Sequence, residues 1–393
     1  MTALGEVAAE SWASAAFEVA AWVLGWDVAR KNFEWLIAST EGAKHMISLN
    51  FSCCAPGLCA AAILVGCGAS SPPIGAPGAI PQSAAALGND RGREFRRPAS
   101  RAKRVYFAWG FNPDEKSIRA YPATANGNRA ATVWIAGDKT ELLAPHTVYI
   151  APGGALYACD LFEGRILGFA PHAHGNVAPG RSIGGSNNPV KLCHGVAVYY
   201  GRIAAVGSDP KNSVVVWDGG LNGNVKPSRI ISGAVTKLNA PYDVAFDASG
   251  DIYIANLGSD AITVYAPGAG GNVAPLRTIA GTMTRLSGPV ALGIDQTRNL
   301  IYVANTSSNA ITAYKLSQSG NVKPTRVISG KMTGLDEPKG VAVDAAGYVY
   351  VSNTGLFSKR FLTVYAPGSN GNVAPVQTVK GGKVTMGNHI AVK

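Results

Sequence analysis

Six Gly-Asn pairs stand at almost constant spacing, and this regularity constrains the chain more than any other feature. Their asparagines are Asn128, Asn176, Asn224, Asn272, Asn321 and Asn372, separated by 48, 48, 48, 49 and 51 residues. Self-similarity at such a period means an array of one supersecondary unit rather than a mosaic of domains. Each unit holds four short β-rich runs, in the fourth Val244–Phe246, Ile252–Ala255, Ile262–Tyr265 and Arg277–Ile279. Asp247-Ala248-Ser249-Gly250 has the chemistry of a hairpin between the first two, and Pro267-Gly268 through Gly271-Asn272 turns the chain between the last two. Four antiparallel strands per unit predict a propeller blade. The other architecture open to a repeat array is a solenoid.

The two ends of the array decide between them. His389-Ile390-Ala391-Val392-Lys393 matches only a first strand, as in Gly340-Val341-Ala342-Val343-Asp344, whereas the first unit opens at Val105-Tyr106-Phe107-Ala108, which matches a second. One partial blade therefore completes the other, and the exposed edges of an open array disappear. The expectation is an all-β, six-bladed propeller of four-stranded antiparallel blades over residues 104–393, closed by the C-terminal strand pairing with the N-terminal blade. First strands are expected near His389, Thr147, Gly195, Asp243, Ala291 and Gly340.

These repeats resemble those of the NHL-type six-bladed propellers and their gluconolactonase-like relatives. Ile301-Tyr302-Val303-Ala304-Asn305 resembles the YVTN-type repeat of larger bacterial propellers. The resemblance implies a fold that hosts both enzymes and binding modules.

Before the repeat the chain changes character. Residues 1–45 read as a helical, Ala-rich extension carrying Trp12, Phe17, Trp22, Trp26, Phe33 and Trp35, or as upstream sequence of a chain that starts at Met46. Residues 46–67 end in Ala60-Ala61-Ala62-Ile63-Leu64-Val65-Gly66-Cys67, an apolar run too short to span a bilayer but matching a signal-peptide core. Leu64-Val65-Gly66-Cys67 resembles the bacterial lipobox, which implies lipidation at Cys67 and a membrane anchor in the cell envelope. A buried Ala/Cys-rich helix is the structural alternative. Residues 68–103 read as a flexible basic linker. Much of the net charge of +11 crowds there, in Arg91, Arg93, Arg96, Arg97, Arg101 and Lys103, with Arg104 beside them. Aromatic residues do not alternate with these cations in the way single-strand binders stack bases, so nucleic acid is not expected as a partner.

Chemistry in a propeller gathers where the inner strands begin. The residues there are Asn388-His389, His146-Thr147, His194-Gly195, Tyr242-Asp243, Val290-Ala291 and Lys339-Gly340. His146, His194 and His389 around an axis, with Asp243 beside them, form a candidate site for a divalent metal, zinc or calcium. The structural alternative is rim histidines hydrogen-bonded to loop backbone. Pro145-His146-Thr147-Val148 also resembles the zinc-histidine segment of the peptidyl-hydroxyglycine amidating lyases, although His146 and His194 fall in adjacent rather than alternating blades. The gluconolactonase relatives imply calcium, but their channel Glu in the first blade has no counterpart here.

Asp160, Asn256, Asn305 and Asn353 end second strands on the same face. They are candidate ligands for hydroxylated molecules or, structurally, caps for turn backbone. Cys159 and Cys193 face each other from neighbouring blades as a candidate disulfide, with free buried thiols as the alternative. The expected function is a monomeric, lipid-anchored binding module for a protein, peptide or glycan on its top face. The alternative is a metal-dependent lyase or lactonase.

Overall fold

The computed structural model describes residues 103–393 apart from 110–115, 130–132, 162, 208–211, 356–359 and 381–388. The segments expected as a helical extension (1–45), an export signal ending at Cys67 (46–67) and a linker (68–103, other than Lys103) lie outside the described residues.

Six four-stranded antiparallel sheets follow one another along the chain. Blade 1 holds β1 (Arg104–Trp109), β2 (Ser117–Pro122) and β3 (Val133–Ala136). Blade 2 is β4 (Pro145–Ile150), β5 (Leu156–Asp160), β6 (Arg165–Phe169) and β7 (Arg181–Ile183). Blade 3 is β8 (Cys193–Tyr199), β9 (Arg202–Gly207), β10 (Ser213–Trp217) and β11 (Arg229–Ile231). Blade 4 is β12 (Pro241–Phe246), β13 (Ile252–Asn256), β14 (Ala261–Tyr265) and β15 (Arg277–Ile279). Blade 5 is β16 (Pro289–Asp295), β17 (Leu300–Asn305), β18 (Ala310–Lys315) and β19 (Arg326–Ser329). Blade 6 is β20 (Pro338–Val343), β21 (Val349–Asn353), β22 (Phe361–Tyr365) and β23 (Gln377–Val379). The last strand, β24 (Ile390–Val392), returns to blade 1 and pairs antiparallel with β1, Val105 opposite Val392 and Phe107 opposite Ile390.

Alternating apolar residues on both faces of each sheet pack blade against blade. Tyr253, Ile262 and Val264 of blade 4 lie against Leu292, Ile301, Val303 and Tyr314 of blade 5. Complete burial of one such side chain contributes about 1.5–3 kcal/mol. The Gly-Asn pair that marks the repeat is an inter-blade clasp. Gly271 bridges in parallel to Ile231 of the preceding blade, and Asn272 Oδ1 accepts the Val235 N–H at 2.9 Å. The Asn321 carboxamide likewise accepts Met283 N–H at 2.8 Å, and Asn372 accepts Met332 N–H at 2.8 Å. Between blades 6 and 1 the bridge runs from Val379 to Gly127. The partner loop must offer glycine at its closest point: at Gly281 φ is 116°, and a Cβ would lie 2.6 Å from Asn321 Cγ.

The inner strands differ from expectation at their start. They begin two residues earlier, at Pro145, Cys193, Pro241, Pro289 and Pro338, and each pairing shifts register after its first residue. The extra residue is a β-bulge, which re-aims the side chain it carries. A proline opens four of the five strands, as an inner edge permits because no ladder needs its missing N–H.

Candidate site at the channel mouth

The five bulges place His146, His194, Tyr242, Val290 and Lys339 at equivalent positions around the axis. His194 and Tyr242 stack with ring centroids 4.5 Å apart and planes 16° apart. His389, just before β24, lies over the other side of the group, 6.0 Å from Tyr242 at 19° and 5.4 Å from His146. His146 meets His194 at 5.4 Å and Tyr242 at 5.6 Å, both edge-on. Sequence reading brought the three imidazoles together but passed over Tyr242, the ring they pack around. Its signal was the shared register after Pro145, Pro241 and Pro338, in which Asp243 drew attention and its neighbour did not.

Hydrogen bonds orient the rings. The backbone carbonyl of His194 lies 2.9 Å from His146 Nδ1. A carbonyl only accepts, so Nδ1 carries the proton and Nε2 accepts from the Tyr242 hydroxyl at 3.4 Å. The same carbonyl accepts the Thr147 hydroxyl. Burial first, then His389 and His194, hold His146 well below the usual imidazole range. Burial followed by His389 pushes His194 down to about 3. Both rings are neutral at physiological pH, because a desolvated imidazolium beside other imidazoles is unfavourable.

Asp243 sits one residue beyond the bulge. Its Oδ1 accepts Val244 N–H at 2.9 Å and its Oδ2 accepts Leu292 N–H at 2.8 Å. Across the channel, Oδ2 lies 3.6 Å from His389 Nδ1. Beside this pair the inner strands form a cavity of about 240 Å³, lined by Asp243 and His389 themselves with Val148, Val244, Leu292 and Val341.

The four residues therefore converge, yet their geometry does not suit a shared metal ion. A metal binds imidazole in the ring plane, at a nitrogen lone pair. His194 and His389 turn their faces to Tyr242, His146 Nδ1 is tied to backbone, and His389 Nδ1 faces Asp243. Among the described residues no group of three or more His, Cys, Asp or Glu is placed to hold a metal.

Asp160, Asn256, Asn305 and Asn353 are buried within the top-face turns rather than turned to a ligand surface. Asn256 accepts Asn239 N–H at 3.0 Å and donates to Thr263 Oγ1 at 3.0 Å. Asn305 does the same with Ser287 and Thr312, and Asn353 with Asp336 and Thr363. Asp160 accepts two backbone N–H groups, from Leu143 at 2.8 Å and from Ala144. Burial nevertheless raises its carboxyl to about 6. Cys159 and Cys193 are joined in a disulfide, Cα atoms 5.9 Å apart, that ties blade 2 to blade 3 beside His194.

Comparison with known proteins agrees with this architecture. Residues 204–376 match the family model described as SMP-30/Gluconolactonase/LRE-like region. No curated protein matches the chain in sequence. Among solved structures, a Bacteroides caccae protein of unknown function superposes with a TM-score of 0.54 at 9% identity, over 74% of this chain and 99% of that one. A chain of a nidogen/laminin complex gives 0.50 at 14% identity, over 74% and 98%. A candidate 6-phosphogluconolactonase from Bacteroides uniformis gives 0.50 at 16% identity, over 72% and 83%. At these identities the likeness is one of fold.

Proposed function

We propose that this propeller is a binding module, displayed from the cell envelope by a lipid on Cys67, which takes a protein, peptide or glycan on its top face. The observation that supports this reading is the plug of His146, His194, Tyr242 and His389 at the channel mouth. The groups best suited to proton transfer or metal binding pack on one another there, so a ligand meets the surrounding connectors instead of a reaction chamber. Those connectors carry exposed side chains, Val235, Met283 and Met332 at one matching position and Lys237 and Arg285 at another, with Lys331 beside Met332. Aliphatic groups beside cations suit a surface that recognises a partner.

The full-length chain, screened against immobilised envelope glycans and peptides, should retain a ligand that protects residues 233–240, 281–288 and 330–337 from hydrogen exchange. Fatty-acid labelling lost in Cys67→Ser tests the anchor. A screen without a ligand, or protection confined to the hairpin face, would sink the binding reading.

The family match over 204–376 favours a second reading, a lactonase or lyase using a zinc or calcium ion at His146, His194, His389 and Asp243. The stacked arrangement of these residues does not fit that ion, and no catalytic step is derived through it. Stoichiometric metal in the purified chain, lost in His146→Ala together with lactone hydrolysis, would establish this reading instead.

A further inference from the structure

Lys339 holds in blade 6 the bulge position that His146, His194 and Tyr242 hold in blades 2, 3 and 4. Its charge reaches the same cluster, where it is one of the influences that keep His146 neutral. The side chain is partly buried, and among the described residues its ammonium has no hydrogen bond or ion pair. Glu337, the acid closest to it in sequence, accepts from Thr354 Oγ1 at 3.3 Å. Asp243 is engaged by two backbone N–H groups and faces His389. A second polar group of the cluster also lacks a partner: His389 Nε2 is buried without a hydrogen bond among the described residues.

A partly desolvated cation without a hydrogen-bonded counter-charge is costly, and a ligand that supplies one at the mouth would offset that cost. Among the described residues the negative charge that acts on Lys339 is that of Glu337, which makes no ion pair with it. A single ammonium is a point charge and balances one negative charge. A phosphate dianion is better met by several donors or by the planar fork of arginine.

We propose that Lys339 anchors a carboxylate-bearing ligand at the channel mouth. This rests on the binding reading above and names the chemistry of what is bound. Two sources share that chemistry, a peptide terminus and a uronic acid. The probes are therefore N-acetylglycine and glucuronate, each titrated into the full chain beside its neutral counterpart, N-acetylglycinamide or glucose. At least one anion should bind about tenfold more tightly than its counterpart. The more responsive anion identifies the source. The advantage should disappear in Lys339→Met and Lys339→Gln, persist in part in Lys339→Arg, and shrink with added salt. Removing an unpartnered charge should leave the melting temperature of Lys339→Met unchanged or raised, and Lys339→Gln provides the same test if Met packs badly. Anions that bind no better than their neutral counterparts, or an advantage retained without the lysine, would overturn the proposal. Equal binding of charged and neutral probes at the top face would remove the carboxylate while leaving the binding reading intact.

Discussion

His389 and Asp243 stand on opposite sides of the ring, in blades 1 and 4, yet His389 Nδ1 lies 3.6 Å from Asp243 Oδ2. Small residues at the same level make room for this span: Gly195, Ala291 and Gly340 occupy the equivalent position in three other blades. At Gly195 an added Cβ would lie 2.7 Å from Asp243 Oδ1. Asp243→Ala would strand two backbone N–H groups and the imidazole, and should cost about 2–4 kcal/mol. Asp243→Asn, which keeps an acceptor, should cost less. Urea unfolding followed by tryptophan fluorescence measures both, and equal losses would contradict the account.

Acid should weaken the fold through the buried histidines. In the unfolded chain an imidazole takes up its proton near pH 6.5, whereas folded His194 resists protonation down to about 3. Between those values the unfolded state binds more protons, so stability falls as pH falls. His146 acts in the same direction. Replacing His194 with Phe should flatten the melting profile between pH 6.5 and 3. An unchanged slope would show that the ring is protonated in the folded state.

The clasp supports a graded comparison. Asn321→Ala removes one hydrogen bond near the surface and should cost about 0.5–1.5 kcal/mol. Gly281→Ala should cost more, because it needs a left-handed backbone and a Cβ only 2.6 Å from Asn321 Cγ. Thermal melts of the two single variants and the double variant should show coupling, since the contact is shared. Additive losses would mean that the two residues act separately.

Asp160 and Asn256 occupy the same turn with different partners. Asn256 donates to Thr263, whereas the corresponding residue near Asp160 is Leu167, which offers no acceptor. Asp160→Asn should therefore destabilise by about 1–2 kcal/mol, one backbone N–H losing its acceptor. Leu167→Thr made in the same chain should recover part of that loss. The sign of the coupling in a double-mutant cycle is the readout.

Loss of the Cys159–Cys193 bond frees a loop set by a sequence separation of 34 residues. Cys159→Ser or reduction should cost about 3–4 kcal/mol. Denaturant titration with and without reductant checks this, and the variant should respond to neither.

The architecture was legible because its signals are repeated: a strand pattern or a Gly-Asn pair seen several times needs no single instance to be clear. The convergence of His146, His194 and His389 was legible for the same reason, through shared register. The bulge was not. An extra residue in a strand leaves no mark on composition, and only pairing partners reveal it. For that reason Tyr242 and Lys339 looked like ordinary strand-start residues. The roles of Asn256, Asn305 and Asn353 depend on which neighbours receive their hydrogen bonds, and periodicity alone does not distinguish a turn cap from a ligand.

The cross-channel pair also bears on how the ring keeps its count. Every clasp joins one blade to the next, so copying a whole repeat would renew each of those bonds and leave none mismatched. Nearest-neighbour contacts are thus indifferent to the number of blades. The His389–Asp243 contact is not, because a seventh blade would widen the channel and leave blade 1 without a diametric partner. It is a gauge set across the bore, and it reads six.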